Sequence, residues 1–234
     1  MASDRFPVWS PDGRRMLFES NRGASQDLYI KDFASGGDEL LVKHGNDKVP
    51  TDWSADGKYF VYQEVDVKTQ IDLWVVALEG DRKPFPFLRT EFNEWWGRLS
   101  PVPDNQGRLW MAYESDETGR NEIYLRPLLP GSPSGAGGTK LRVSTGGGAN
   151  PKWRRDGREL FYFSSGKLMA VDVKLGASVE IGRTHPLFDL PDEYQYEPFP
   201  DGQRFIVIKS TGEPEQARIN VVLNWQAELT EKSK

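Results

Sequence analysis

Trp9-Ser10-Pro11-Asp12-Gly13-Arg14, Trp53-Ser54-Ala55-Asp56-Gly57-Lys58 and Trp153-Arg154-Arg155-Asp156-Gly157-Arg158 are three copies of one hexapeptide. Two looser copies complete the set. One runs from Leu99-Ser100-Pro101 to Asp104-Asn105-Gln106-Gly107-Arg108, and the other is Pro198-Phe199-Pro200-Asp201-Gly202-Gln203. The residues in the Trp position, 9, 53, 99, 153 and 198, lie 44, 46, 54 and 45 apart. The one long interval contains the flexible insert Gly131-Ser132-Pro133-Ser134-Gly135-Ala136-Gly137-Gly138. A fixed period of this length is the signature of a repeat architecture, in which one supersecondary unit recurs.

Each copy continues alike. Asp-Gly tolerates the backbone of a tight hairpin. An apolar, β-prone run follows it: Met16-Leu17-Phe18, Tyr59-Phe60-Val61-Tyr62, Leu109 to Tyr113, Leu160-Phe161-Tyr162-Phe163 and Phe205-Ile206-Val207-Ile208. After a polar turn comes a second run, for example Asp27-Leu28-Tyr29-Ile30 or Asp72-Leu73-Trp74-Val75-Val76. A weaker segment leads to the next Trp. Runs rich in Val, Ile, Phe, Tyr and Trp suit pleated surfaces. The spacing therefore predicts small antiparallel sheets of four strands, apolar on both faces, which must stack to bury them. Closing the stack into a ring leaves few exposed edges. The expected fold class is all-β: a β-propeller with about five blades, the last one partial. One domain spans 1-234, with modules near 5-48, 49-94, 95-148, 149-193 and 194-228 and a tail over 229-234. The signature residues Trp9, Trp53 and Trp153 are expected to fill gaps between sheets. Asp12, Gly13, Asp56, Gly57, Asp156, Gly157, Asp201 and Gly202 are expected to be turn residues.

Composition narrows the functional classes. The chain carries 35 acidic and 30 basic residues, a net charge of −5, which argues against a nucleic-acid partner. Arg14-Arg15 and Arg154-Arg155 read as solvated rim pairs. There is no cysteine, so thiolate metal sites and disulfides are excluded. No apolar run is long enough for a membrane span, and the start has no signal-peptide core.

Catalytic patterns are missing. His44 and His185 are isolated, and read as loop residues. Ser164-Ser165-Gly166 reads as a hairpin turn and not a nucleophile elbow. The Gly-rich stretches at Gly138-Thr139-Lys140 and Gly146-Gly147-Gly148 lack the order of a phosphate-binding loop. Glu91, Glu94, Asp192 and Glu193 qualify as paired carboxylates by composition only. No catalytic residue, metal ligand or cofactor is assigned. The candidate site is Glu91-Phe92-Asn93-Glu94-Trp95-Trp96-Gly97-Arg98. Adjacent strand residues point to opposite faces, so one of Trp95 and Trp96 is expected to leave the packed face. With Arg98, and with Tyr194 and Tyr196 on a comparable strand, it would line the ring mouth and anchor a peptide or sugar. The alternative is that all four aromatics pack between blades.

Trp-Ser-Pro-Asp-Gly followed by Asp-Leu-Tyr-Ile resembles the TolB-like, WD40-like (PD40) propeller repeat. Asn121-Glu122-Ile123-Tyr124-Leu125-Arg126-Pro127, Val143-Ser144-Thr145-Gly146-Gly147-Gly148, Pro151 to Tyr162 and the ending Asn220 to Leu229 are similar to the C-terminal propellers of bacterial receptor-type serine/threonine kinases. The motifs of the kinase domain itself are absent. The resemblance implies a ring of six or more blades, of which this chain is a fragment. It implies a non-catalytic binding, scaffolding or sensor module for a protein, peptide or small ligand, within a bacterial signalling protein. Such a module is soluble; with no export signal it reads as cytoplasmic, and within a longer receptor as extracytoplasmic. The alternatives are a propeller hydrolase or lyase, the accessory propeller of a peptidase, and a periplasmic scaffold similar to TolB.

Overall fold

The computed structural model describes residues 2–23, 25–43, 45–132, 135–190, 194–209 and 218–222. Its strands, in chain order, are β1 (Asp4–Trp9), β2 (Arg15–Ser20), β3 (Asp27–Asp32), β4 (Asp38–Val42), β5 (Lys48–Trp53), β6 (Tyr59–Asp66), β7 (Gln70–Ala77), β8 (Pro84–Leu88), β9 (Glu94–Leu99) and β10 (Trp110–Ser115). They continue with β11 (Glu122–Pro127), β12 (Leu141–Arg142), β13 (Ala149–Trp153), β14 (Glu159–Ser164), β15 (Lys167–Leu175), β16 (Val179–Asp189), β17 (Tyr194–Pro198), β18 (Phe205–Lys209) and β19 (Arg218–Val222). There is no helix among the described residues, hence none long and apolar enough to cross a membrane.

The strands form four sheets of four, β1–β4, β5–β8, β9–β12 and β13–β16, and one of three, β17–β19. Every pairing is antiparallel and joins neighbours in sequence. These are the blades of a β-propeller. The signature turns behave as expected. Gly13, Gly57, Gly157 and Gly202 have φ of +68°, +76°, +71° and +68°, the region a Cβ disfavours. The preceding Asp closes each turn: Asp12 Oδ1 accepts the Arg14 N–H (3.0 Å), and Asp56, Asp156 and Asp201 accept from Lys58, Arg158 and Gln203.

Alternation in the second strand of each blade builds the core. In β6, Phe60 and Tyr62 face back onto Leu17, Leu28 and Ile30 of the first blade, while Val61 faces forward onto Met111 and Tyr113. In β10, Ala112 faces forward onto Leu160 and Tyr162; in β14, Phe161 faces forward onto Phe205 and Val207. Four apolar clusters thus glue five sheets face to face, as period-2 strands buried on both sides require.

Two sequence readings are corrected. His185 lies within β16, paired with Ala170, and not in a loop, because β16 runs on as an eleven-residue outer strand. His44 is outside the described residues. Trp53 is 6% exposed against the first blade, as expected, but Trp9 is 54% exposed and stacks on Phe33 at 5.0 Å. The reason is positional. Each signature Trp packs against the blade before it, and among the described residues no blade precedes the first.

Equivalent substitutions therefore have unequal costs. Trp53→Ala is expected to lower unfolding free energy by about 3 kcal/mol or more. Trp9→Ala, at the same repeat position, should cost about 1 kcal/mol, the worth of its exposed stacking. Urea unfolding of both variants checks the difference.

Candidate functional site

The first strand of each blade lies innermost, and β5 and β9 each touch the inner strands on both sides. Counting back from the signature position, the third-last residues are Phe6, Pro50, Trp96, Asn150 and Gln195. The residues one before it are Val8, Asp52, Arg98, Lys152 and Glu197. All ten border one central cavity of about 520 Å³, with Trp9, Tyr196, Ile206 and Ile208 among its other walls. The repeat thus brings two layers of side chains to one channel, one of aromatic and amide groups with Pro50 and one of four charges with Val8.

A bulge does the aiming. The ladder between first and second strands slips at Arg5/Val8, Pro50/Asp52, Trp95/Arg98 and Ala149/Lys152. Phe6, Trp96 and Asn150 occupy the slip with φ of +51°, +52° and +52°, an uncommon backbone for residues with a Cβ. Bulges re-aim a side chain out of simple alternation. Pro50, whose ring forbids positive φ, leaves the extra residue to Thr51. Beside Trp96, Gly97 sits where a side chain would press on its neighbours. A Cβ there would lie 3.0 Å from Met111 and 3.1 Å from Val61.

The sequence-expected residues divide. Trp96 and Arg98 line the channel. Trp95 is half-buried and outside the channel wall, opposite Glu114 of β10. Tyr196 borders the cavity but is 3% exposed, packs between the fourth and fifth blades, and donates its hydroxyl to the Asn150 carbonyl at 2.6 Å. It packs between blades while bordering the cavity. Tyr194 opens β17 opposite Lys209, and its side chain is outside what the structure describes. Asp192 and Glu193 are likewise outside the described residues. Glu94 is buried away from the channel, holding the Thr90 hydroxyl at 2.6 Å, and burial pushes its carboxyl up to about 7.

Sequence reasoning missed Asp52, Asn150, Lys152 and Glu197. Their signal was available: each holds the same offset from a signature residue as Trp96 or Arg98. The charges are linked across blade boundaries. Asp52 Oδ2 accepts the Leu99 N–H at 2.7 Å, and its Oδ1 lies 3.9 Å from the Arg98 guanidinium. Arg98 donates to the Thr51 carbonyl, and its own carbonyl accepts the Trp153 indole N–H at 3.1 Å. Lys152 pairs with Glu197 and lies over the Tyr196 ring, 5.6 Å from its centre. Burial raises Asp52 to about 6, against the pull of Arg98. Burial, aided by repulsion from Arg98, lowers Lys152. Among the described residues no three His, Cys, Asp or Glu side chains converge where a metal ion would sit.

No family profile matches the sequence, and no curated protein matches it. Solved structures do. TolB from Acinetobacter baumannii is 17% identical with a TM-score of 0.71, over 95% of this chain and 52% of that one. An oligogalacturonate lyase in complex with manganese is 15% identical with a TM-score of 0.65, over 96% of this chain and 63% of that one. A puromycin-hydrolysing peptidase of Mycobacterium tuberculosis is 16% identical with a TM-score of 0.61, over 94% of this chain and 36% of that one. At these identities the likeness is one of fold, a β-propeller similar to that of TolB. The chain spans about half the length of that TolB.

Asp52 makes stability depend on pH. Its carboxyl titrates near 6 in the folded chain and at an ordinary 3.8 when unfolded. The stability held by its neutral form is full below 3.8 and is lost as pH rises through 6. Asp52→Asn keeps an acceptor for Leu99 and removes the titration. It is expected to flatten the stability profile between pH 4 and 7 by on the order of 2 kcal/mol relative to wild type. Urea unfolding across that range measures it.

Proposed function

We propose that the chain is a non-catalytic binding module whose channel mouth takes an extended segment of a protein partner, as part of a bacterial signalling or scaffolding protein. One observation carries the reading. Phe6, Trp9 and Ile208 are 43%, 54% and 48% exposed and border the same cavity as Trp96 and the charges of Asp52, Arg98, Lys152 and Glu197. Large apolar groups held open on a rigid frame, next to a few fixed charges, are what a peptide-sized ligand needs for affinity and orientation. The fold supplies the frame and does not choose the ligand, since a TolB, a lyase and a peptidase share it.

An enzymatic reading, a propeller hydrolase or lyase, has one specific support. Asp52 faces the channel beside Arg98 with a carboxyl near 6, the range a general acid–base uses.

Selection of random peptides on the immobilised chain separates the two. Under the binding reading, selected peptides lose tenfold or more in affinity against Trp96→Ala, about 1.4 kcal/mol. The melting temperature should move little, because Trp96 sits on the channel wall. Affinity unchanged by Trp96→Ala contradicts the reading. A turnover of oligosaccharide or peptide substrates that disappears in Asp52→Asn favours the enzyme instead.

A further inference from the structure

We infer that the charged layer of the channel holds a carboxylate seat, formed where Arg98 of β9 and Lys152 of β13 meet across the boundary of the third and fourth blades. The inference rests on the binding reading and names the chemistry the ligand brings.

The order of charges around the axis points there. It runs Asp52, Arg98, Lys152, Glu197. Arg98 has its acid on the second-blade side and Lys152 has its acid on the fifth-blade side. Between the two cations stands no acid of this layer. They repel one another, and Lys152 is held below its ordinary proton affinity partly by Arg98. An anion placed at that boundary relieves the repulsion from both sides.

The Arg98 Nε–H is buried with no acceptor. A buried donor left unmatched costs about 1–3 kcal/mol, and such groups in folded proteins call for a water, an ion or a functional use. Asp52 is 3.9 Å from the guanidinium, because the Leu99 N–H holds its other oxygen at 2.7 Å. The Nε edge of an arginine, with one terminal nitrogen, forms the two-pronged donor that fits a planar carboxylate. Lys152 supplies a point charge beside it.

Access comes from both sides. The large cavity reaches Arg98 and Lys152 from the aromatic mouth. A second cavity of about 180 Å³ reaches the same two residues from the face of the Asp-Gly turns; Arg155 adds a third cation there, against the two acids Asp52 and Glu197 that also line it. The acid that occupies Lys152 is displaceable: the Glu197 side chain is 65% exposed, and ion pairs so open to water are worth little. The ligand group is therefore a carboxylate on an extended segment, either a chain terminus or an Asp or Glu side chain.

The test uses sodium acetate on the whole chain at fixed pH and ionic strength, followed by the indole N–H resonance of Trp153, which bonds to the Arg98 carbonyl. The expected result is a saturable shift with acetate and none with acetamide. Lys152→Gln should weaken acetate about tenfold, the worth of one charged hydrogen bond. Glu197→Gln, a surface change with little risk to folding, should tighten it several-fold by removing the competing acid. An equal acetate response in wild type, Lys152→Gln and Glu197→Gln would mean an adventitious ion only and would overturn the seat. So would the absence of any response in both wild type and Glu197→Gln. Acetate reports on the seat without any peptide, so its failure is distinct from failure of the Trp96→Ala test. Comparing a selected peptide with its C-terminal amide then separates a chain terminus, which loses affinity, from an acidic side chain, which does not.

Discussion

Sheets that are apolar on both faces govern this molecule. In β6, β10, β14 and β18 successive residues point to opposite sides, and both sides carry large apolar groups: Phe60 and Tyr62 against Val61, and Leu160 and Tyr162 against Phe161. A full side chain moved out of water is worth roughly 1.5–3 kcal/mol, which a lone sheet recovers on neither face. Each blade needs at least one neighbour to cover a face, so the blades fold as a stack. The right-handed twist of each sheet turns the stack about an axis.

The rest of the architecture follows from which strand falls on the axis. Sequential antiparallel pairing puts the signature strand first in every blade, and that strand is innermost. Side chains at fixed offsets from the signature then become neighbours although they are dozens of residues apart in the chain. The bulge at Phe6, Trp96 and Asn150 completes the effect by turning a residue into the channel. A repeat that exists for packing thereby builds a ring of variable groups, and variation at two offsets is enough to set its chemistry.

Much of this was legible in the sequence. The Asp-Gly turns, the period and the alternation after each turn specify blades, because each is a local rule that agrees with the global one. Trp96 and Arg98, which border the cavity, were singled out by the unusual composition of their segment. Asp52, Lys152 and Glu197 were not, because a lone charge before a signature residue looks like any surface charge until the blades are set side by side around the cavity. Trp95 and Trp96 were expected to split between faces by simple alternation. The bulge breaks that alternation, and nothing in the local sequence except Gly97, pressed against Met111 and Val61, hints at it. The exposure of Trp9 was invisible for the opposite reason: its sequence is that of its buried equivalents, and only its place in the stack differs.

The central claim, that the blades curl about a shared channel, is tested most directly at the two ends of the described stack. Five sheets stacked in a straight line, about 10 Å apart, would put the first and last inner strands roughly 40 Å from each other. In a ring, Val8 and Glu197 border one cavity. The chain has no cysteine of its own, so Val8→Cys with Glu197→Cys is a clean pair. A bis-maleimide far shorter than 40 Å should join the two within one molecule, giving a looped monomer on a denaturing gel. Linkage only between separate molecules, or none, would contradict the ring.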